Sequence, residues 1–267
     1  MSPTPWLQSF RPVADPRRTL VCFPYAGAGA AVYRDWHHGL DPRDELLAVR
    51  LPGRENRIAE PPLTAVAEAV PAIVTALSPR LDRPLALFGH SLGASLAYAT
   101  ARALVERGTP PRLLALSARR APHQPLRRTA ARALDDTAFR DLLAALGGTP
   151  PEVLACADLM ELMLPMLRAD FIMSEDFTEP APAPLPVPML AFAGLGDPEV
   201  EVAELAAWRD FAGAGFALHS LPGGHFFLHE HRSLIVQIIM KAAFFDCSQS
   251  VNPSYSGKSF DDDNFIG

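Results

Sequence analysis

The chain has 267 residues, of which 49% are hydrophobic and 20% charged. That supports one sizeable core and argues against a globally disordered protein. The net charge of −6 disfavours nucleic acid as the main partner, because phosphate binding leans on clustered positive charge.

In chain order, the opening MSPTPWLQSFRP lacks the basic-then-apolar order of a signal peptide. A first strand is expected over 19–25 (TLVCFPY), running into the small, glycine-rich segment Tyr25-Ala26-Gly27-Ala28-Gly29. A second strand follows over 45–51, a helix over 63–81, and a third strand over 84–89. The helix over 92–107 stops at Gly108, a natural left-handed terminator. A fourth strand is expected over 112–117. The block 119–178 then shows helical patterns and no strand. One helix there is capped by Asp135 or Asp136 and ends at Gly147, and a second runs from about 151, with Pro165 kinking it. A Pro-rich connector spans 179–188, followed by a strand over 189–193, a helix over 199–212, a strand over 216–221 and a helix over 231–245. The last stretch, 246–267, shifts to Ser, Asn and Asp and reads as a disordered tail.

The strands are continuously apolar, as when both faces of a sheet are covered. The alternation with helices predicts an α/β protein with a mostly parallel central sheet and helices on both faces. A single domain over 1–245 is expected, with 119–178 as an inserted helical lid. No window holds 18 consecutive apolar residues. The cysteines Cys22, Cys156 and Cys247 are too scattered for a disulfide framework. A soluble cytoplasmic protein is therefore expected.

Gly89-His90-Ser91-Leu92-Gly93 fits G-x-S-x-G. The bare pattern is common, but an apolar strand runs into it and a small-residue helix runs out, as a nucleophile elbow requires. A serine hydroxyl needs a base, and that base needs an orienting acid. Asp197 (GLGDP) follows one expected strand and His225 (PGGHFF) the next. In an open α/β sheet such strand ends gather the active site. Taken alone, Asp197 reads equally well as a turn former before proline and His225 as a loop histidine; their order after Ser91 gives them the roles of acid and base. Oxyanion donors are expected from the backbone N–H groups of Leu92, which follows the nucleophile, and Ala26, in the early loop. His90 fills the elbow and supports its turn. The remaining histidines lack zinc-ligand spacing, and the early loop is not G-x-G-x-x-G. These features predict an α/β-hydrolase fold.

At CFPYAGAG, RLPGRENRIAEPP, LFGHSLGASLAYATARAL, LSARRAPH, LMLPMLRADF, GDPEV and LPGGHFFL the chain resembles the type II thioesterases, discrete editing enzymes of polyketide and nonribosomal peptide synthesis. These stretches span about 18–232. The resemblance implies hydrolysis of acyl thioesters on the phosphopantetheine arm of carrier protein domains, with no cofactor of the enzyme's own and no metal. It implies Ser91, Asp197 and His225 as the triad, Ala26 and Leu92 as oxyanion donors, acyl or peptidyl carrier domains as partners, and a monomer. One departure is Tyr25, where many relatives carry His. A small-molecule carboxylesterase or lipase, or a non-catalytic α/β-hydrolase scaffold, is the alternative.

Two further expectations concern the substrate. Arg112, Arg119, Arg120, Arg127, Arg128 and Arg132 form a run without acidic residues, either a basic docking patch for acidic carrier domains or a solvated edge with local ion pairs. Met160, Met163, Leu164, Met166, Leu167 and Phe171 either line an adaptable acyl site or form helix core, and helical periodicity favours core.

Overall fold

The computed structural model describes residues 4–244. Seven strands form one sheet: β1 (Leu7–Gln8), β2 (Arg18–Phe23), β3 (Asp44–Val49), β4 (Leu85–His90), β5 (Leu113–Ser117), β6 (Met189–Gly194) and β7 (Phe216–Leu221), in the order β1-β3-β2-β4-β5-β6-β7. All neighbours pair in parallel except β1 with β3. Every residue of β3, β4, β5 and β6 is buried, which is why those strands read as unbroken apolar runs. Alternate residues feed opposite faces: Val21 and Phe23 pack under α1 (Val66–Leu77) and α2 (Leu92–Glu106), while Leu20 and Cys22 face Tyr33, Trp36 and α7 (Leu228–Phe244).

The parallel register brings the carboxyl ends of β2, β4, β5, β6 and β7 to one edge, with Phe23 beside Gly89, His90 beside Ser117, and Gly194 beside Leu221. Between β5 and β6 lies the strand-free block, containing α3 (Asp136–Leu146), α4 (Pro151–Ala155) and α5 (Ala157–Asp176). Asp135 caps α3 by accepting from the Ala138 N–H at 2.8 Å, and Gly147 ends it at φ 72°. This block has its own small core, in which Phe139, Leu143, Met160, Leu164 and Phe171 are buried.

Several boundaries differ from the sequence pattern. β1 is two residues long, too short for any periodic signal. A ten-residue 3₁₀ helix, Ala30–Gly39, buries Tyr33 and Trp36. The expected helix over 199–212 is α6 (Val202–Ala206) followed by a 3₁₀ turn, Ala207–Phe211. The second helix of the inserted block breaks at Cys156, in extended conformation, while α5 continues through Pro165. The tail expected at 246–267 lies outside the described residues.

Candidate active site

Ser91 sits between the last residue of β4 and the first of α2, at φ 53° and ψ −119°. Positive φ in a residue with a Cβ is strained and persists only where the surroundings impose it. The surroundings are two glycines. A Cβ at Gly89 would overlap the Gly93 carbonyl, and one at Gly93 would overlap the Phe23 carbonyl. The Ser91 N–H donates to Ser117 O at 2.8 Å, which pins the turn to β5. His90 is fully buried with Nδ1 2.9 Å from Ser117 Oγ, in the supporting position expected for it. Burial, and then the neighbouring His225 and His229, hold its pKa well below 6.5.

Asp197 and His225 lie on the loops after β6 and β7. Gly196 N donates to Gly223 O at 2.8 Å, and a Cβ at Gly194 would crowd the Gly224 carbonyl and Phe227. Small residues thus let the two loops touch. The Asp197 carboxylate is held at both oxygens: Oδ1 accepts from Glu199 N at 2.8 Å and Val200 N at 3.2 Å, and Oδ2 lies 2.8 Å from His225 Nδ1. The two side chains are 1% and 5% exposed. Because a carboxylate only accepts, Nδ1 carries the proton and Nε2 is left as the free, basic nitrogen.

Ser91 and His225 border the same cavity, of about 210 Å³. The early loop Tyr25–Ala28 forms part of its wall. Among the described residues, no backbone carbonyl accepts from the N–H of Ala26 or of Leu92. For Leu92, the first residue of α2, that is the ordinary state of a helix N-terminus. Tyr25 packs edge-on against Phe226, its hydroxyl is 3.1 Å from His229 Nε2, and burial pushes its pKa up to about 12.

A buried ion pair that sequence reasoning missed holds the early loop. Asp170, on α5, accepts from Arg54 through both oxygens at 2.7 Å, and its Oδ2 also accepts from Gly27 N at 2.8 Å. Arg54 Nη1 donates to Ala28 O at 3.0 Å. Both side chains are buried. The loop carrying Ala26 is thereby tied to the inserted block. RLPGRENR and LRADF stood out as motifs, but neither spacing nor composition joins Arg54 to Asp170.

The remaining expectations divide. Met163, Leu167 and Phe171 line the cavity, whereas Met160 and Leu164 are core. The arginine run does not form a basic patch. Arg127 pairs with Glu201 and Glu204, Arg128 with Glu175 and Glu199, and Arg132 with Asp176. Arg119 and Arg120 point inward and line the cavity. Local ion pairing is thus what Arg127, Arg128 and Arg132, half of the run, do. Among the described residues, no helix is long and apolar enough to cross a membrane.

A serine turn after β4, followed by an acid after β6 and a histidine after β7 of a mostly parallel sheet, is the layout of the α/β-hydrolases. Within that class the thioesterase domain family matches residues 18–242, and the chain belongs to it. It is similar to the linear gramicidin dehydrogenase LgrE of Brevibacillus parabrevis, with 38% identity covering 90% of this chain and 92% of the relative. It is similar to the thioesterase PikA5 of Streptomyces venezuelae, with 39% identity covering 84% and 80%. The type II thioesterase BorB from the borrelidin biosynthetic cluster superposes with a TM-score of 0.82 at 34% identity, covering 91% of this chain and 99% of that one.

Proposed function

We propose that the protein is a serine-dependent editing thioesterase, hydrolysing acyl groups from the phosphopantetheine arm of carrier domains in a polyketide or nonribosomal peptide synthase. The observation that carries this reading is the buried Asp197–His225 pair on the cavity that Ser91 also borders. In this mechanism Ser91 Oγ attacks the thioester carbonyl as His225 Nε2 takes its proton. The tetrahedral oxyanion accepts from the Ala26 and Leu92 N–H groups, and losing one such donor typically costs about 10²–10³ in kcat. Collapse breaks the C–S bond, and His225 returns the proton to the departing thiolate. Water, deprotonated by the same imidazole, then attacks the acyl-serine and releases the acid. Asp197 keeps the imidazole in the tautomer both steps need.

In the same reading, residues 119–178 act as a lid on one domain spanning 1–245, and the protein is a cytoplasmic monomer that needs no cofactor. The relative named a dehydrogenase suggests a second reading, which the residues disfavour. The loop after β2 is not G-x-G-x-x-G and leads into a 3₁₀ helix rather than an α-helix facing a pyrophosphate.

The test is a panel of acylated carrier proteins and matched free thioesters and oxoesters, read by mass spectrometry. Thioesters are expected to turn over faster than their oxoester analogues; the reverse order would make the protein an esterase. Ser91→Ala is expected to abolish turnover with the melting temperature kept. Full activity in that variant would reject the mechanism, whereas wild-type protein inert on every ester and thioester would leave the scaffold reading standing.

A further inference from the structure

The cavity is lined by residues of two kinds. Leu143, Val153, Met163 and Leu167 of the inserted helices supply hydrocarbon. Arg119, Arg120 and Arg128 also line it, and the last two border the neighbouring pocket beside Asp197 and Glu199 as well. The segment bearing the first two leaves β5 through Ala118, whose φ of 48° is again a left-handed conformation on a residue with a Cβ. It is pinned there: Ala118 N donates to Phe192 O at 3.0 Å, and Trp208 Nε1 donates to Arg119 O at 2.8 Å. The chain is therefore held in a shape that turns both arginines inward, each 5% exposed.

Charge in this wall does not balance. Glu199 and Glu175 both belong to Arg128, at 3.0 and 2.6 Å. Arg119 donates to Ser174, through Oγ at 3.1 Å and through the carbonyl, and its Nε has no partner. Arg120 donates only from Nε, to Gln124 O at 3.4 Å. Among the described residues, no carboxylate lies within ion-pair distance of Arg119 or Arg120. Burial lowers the pKa of Arg119 to about 9 and lowers that of Arg120, against the raising effect of nearby Glu199 and Glu175 on both and of Glu204 on Arg120. A plain hydrocarbon acyl chain needs only the apolar residues.

We propose that Arg120, backed by Arg119, is a subsite for an oxyanion of the substrate: a carboxylate on the acyl group, or the phosphate of the pantetheine arm. A guanidinium is suited to either, because its planar fork donates two parallel hydrogen bonds to such a group. The subsite rests on the thioesterase reading and narrows its substrate.

The test compares butyryl and succinyl thioesters, each on N-acetylcysteamine, which has no phosphate, and on phosphopantetheine. The readout is the succinyl-to-butyryl ratio of kcat/KM within one protein, so the amount of active material cancels. With an acyl carboxylate in the subsite, Arg120→Gln lowers that ratio about tenfold on both thiols, the size of one charge-assisted hydrogen bond. With the arm's phosphate there, the ratio holds and KM rises about tenfold for both phosphopantetheine thioesters relative to their N-acetylcysteamine counterparts. Neither change in folded Arg120→Gln overturns the subsite and leaves the thioesterase standing. Should that variant not fold, Arg120→Lys decides, since it keeps charge and bulk but loses the fork. Wild-type values in all four assays would overturn the subsite, and a smaller shift in the same direction would support it. Wild-type protein inert on every thioester removes the hydrolase reading and the subsite with it.

Discussion

Ser91 can hold its strained backbone only because its two flanking glycines have no side chain. The atoms a new Cβ would meet at position 93 are the Phe23 carbonyl, which is main chain and cannot rotate away. Gly93→Ala is therefore expected to cost about 3 kcal/mol or more, read as a lowered urea midpoint. A cost below about 1 kcal/mol would mean that the elbow has slack. The neighbouring His90 makes a prediction in pH. Its native pKa lies well below 6.5, so it folds neutral, while the unfolded chain binds the proton near that value. The unfolded state thus holds more protons, and stability rises with pH. The contribution is complete above the unfolded pKa and is lost as pH falls below it, at up to about 1.4 kcal/mol per pH unit. His90→Asn is expected to flatten the slope of unfolding free energy against pH between about 5 and 6.5. An unchanged slope would show that His90 accepts its proton in the fold.

At the level of elements, α5 does two jobs through one carboxylate. Asp170 neutralises Arg54 and also accepts from the loop that carries Ala26. Removing one partner of a buried pair strands the other, so Asp170→Asn is expected to lose about 3 kcal/mol in urea unfolding. Replacing both charges by apolar groups, Arg54→Met with Asp170→Leu, is expected to recover much of that stability. Turnover should stay low, because Gly27 N still lacks its acceptor. Full recovery of kcat along with stability would show that the pair supports the fold and not the loop. This pair also marks where sequence reading stopped. The elbow, GLGDP and PGGH are local strings at strand ends, so their residue types and order disclosed them. Arg54 and Asp170 are 116 positions apart, and no periodicity links them. β1 and the 3₁₀ helix Ala30–Gly39 were invisible for a related reason: one is too short and the other follows neither the strand nor the α-helical period.

For the whole molecule, charge is the property that sequence left open between two readings. The arginine stretch could be read as a docking patch or as an edge with local ion pairs, and the carboxylates that pair Arg127, Arg128 and Arg132 come from Glu175, Asp176, Glu199, Glu201 and Glu204 on other elements. Arg112 is exposed but lies at the opposite end of β5, beside Asp82 and Pro110, away from the cavity. What approaches a carrier domain is thus a protein of net charge −6 in whose basic run three arginines are ion-paired and two are buried. If that partner is acidic, as the resemblance implies, the long-range field does not attract it, and added salt screens repulsion rather than steering. The rate constant kcat/KM for carrier-bound acyl groups is therefore expected to stay level or rise as salt increases from about 0.05 to 0.5 M. The same acyl group on N-acetylcysteamine, run in parallel, corrects for salt effects on the chemistry. A fall of about threefold or more for the carrier alone would mean that a basic docking face survives the ion pairing. Level or rising rates would leave recognition to close contacts around the cavity mouth.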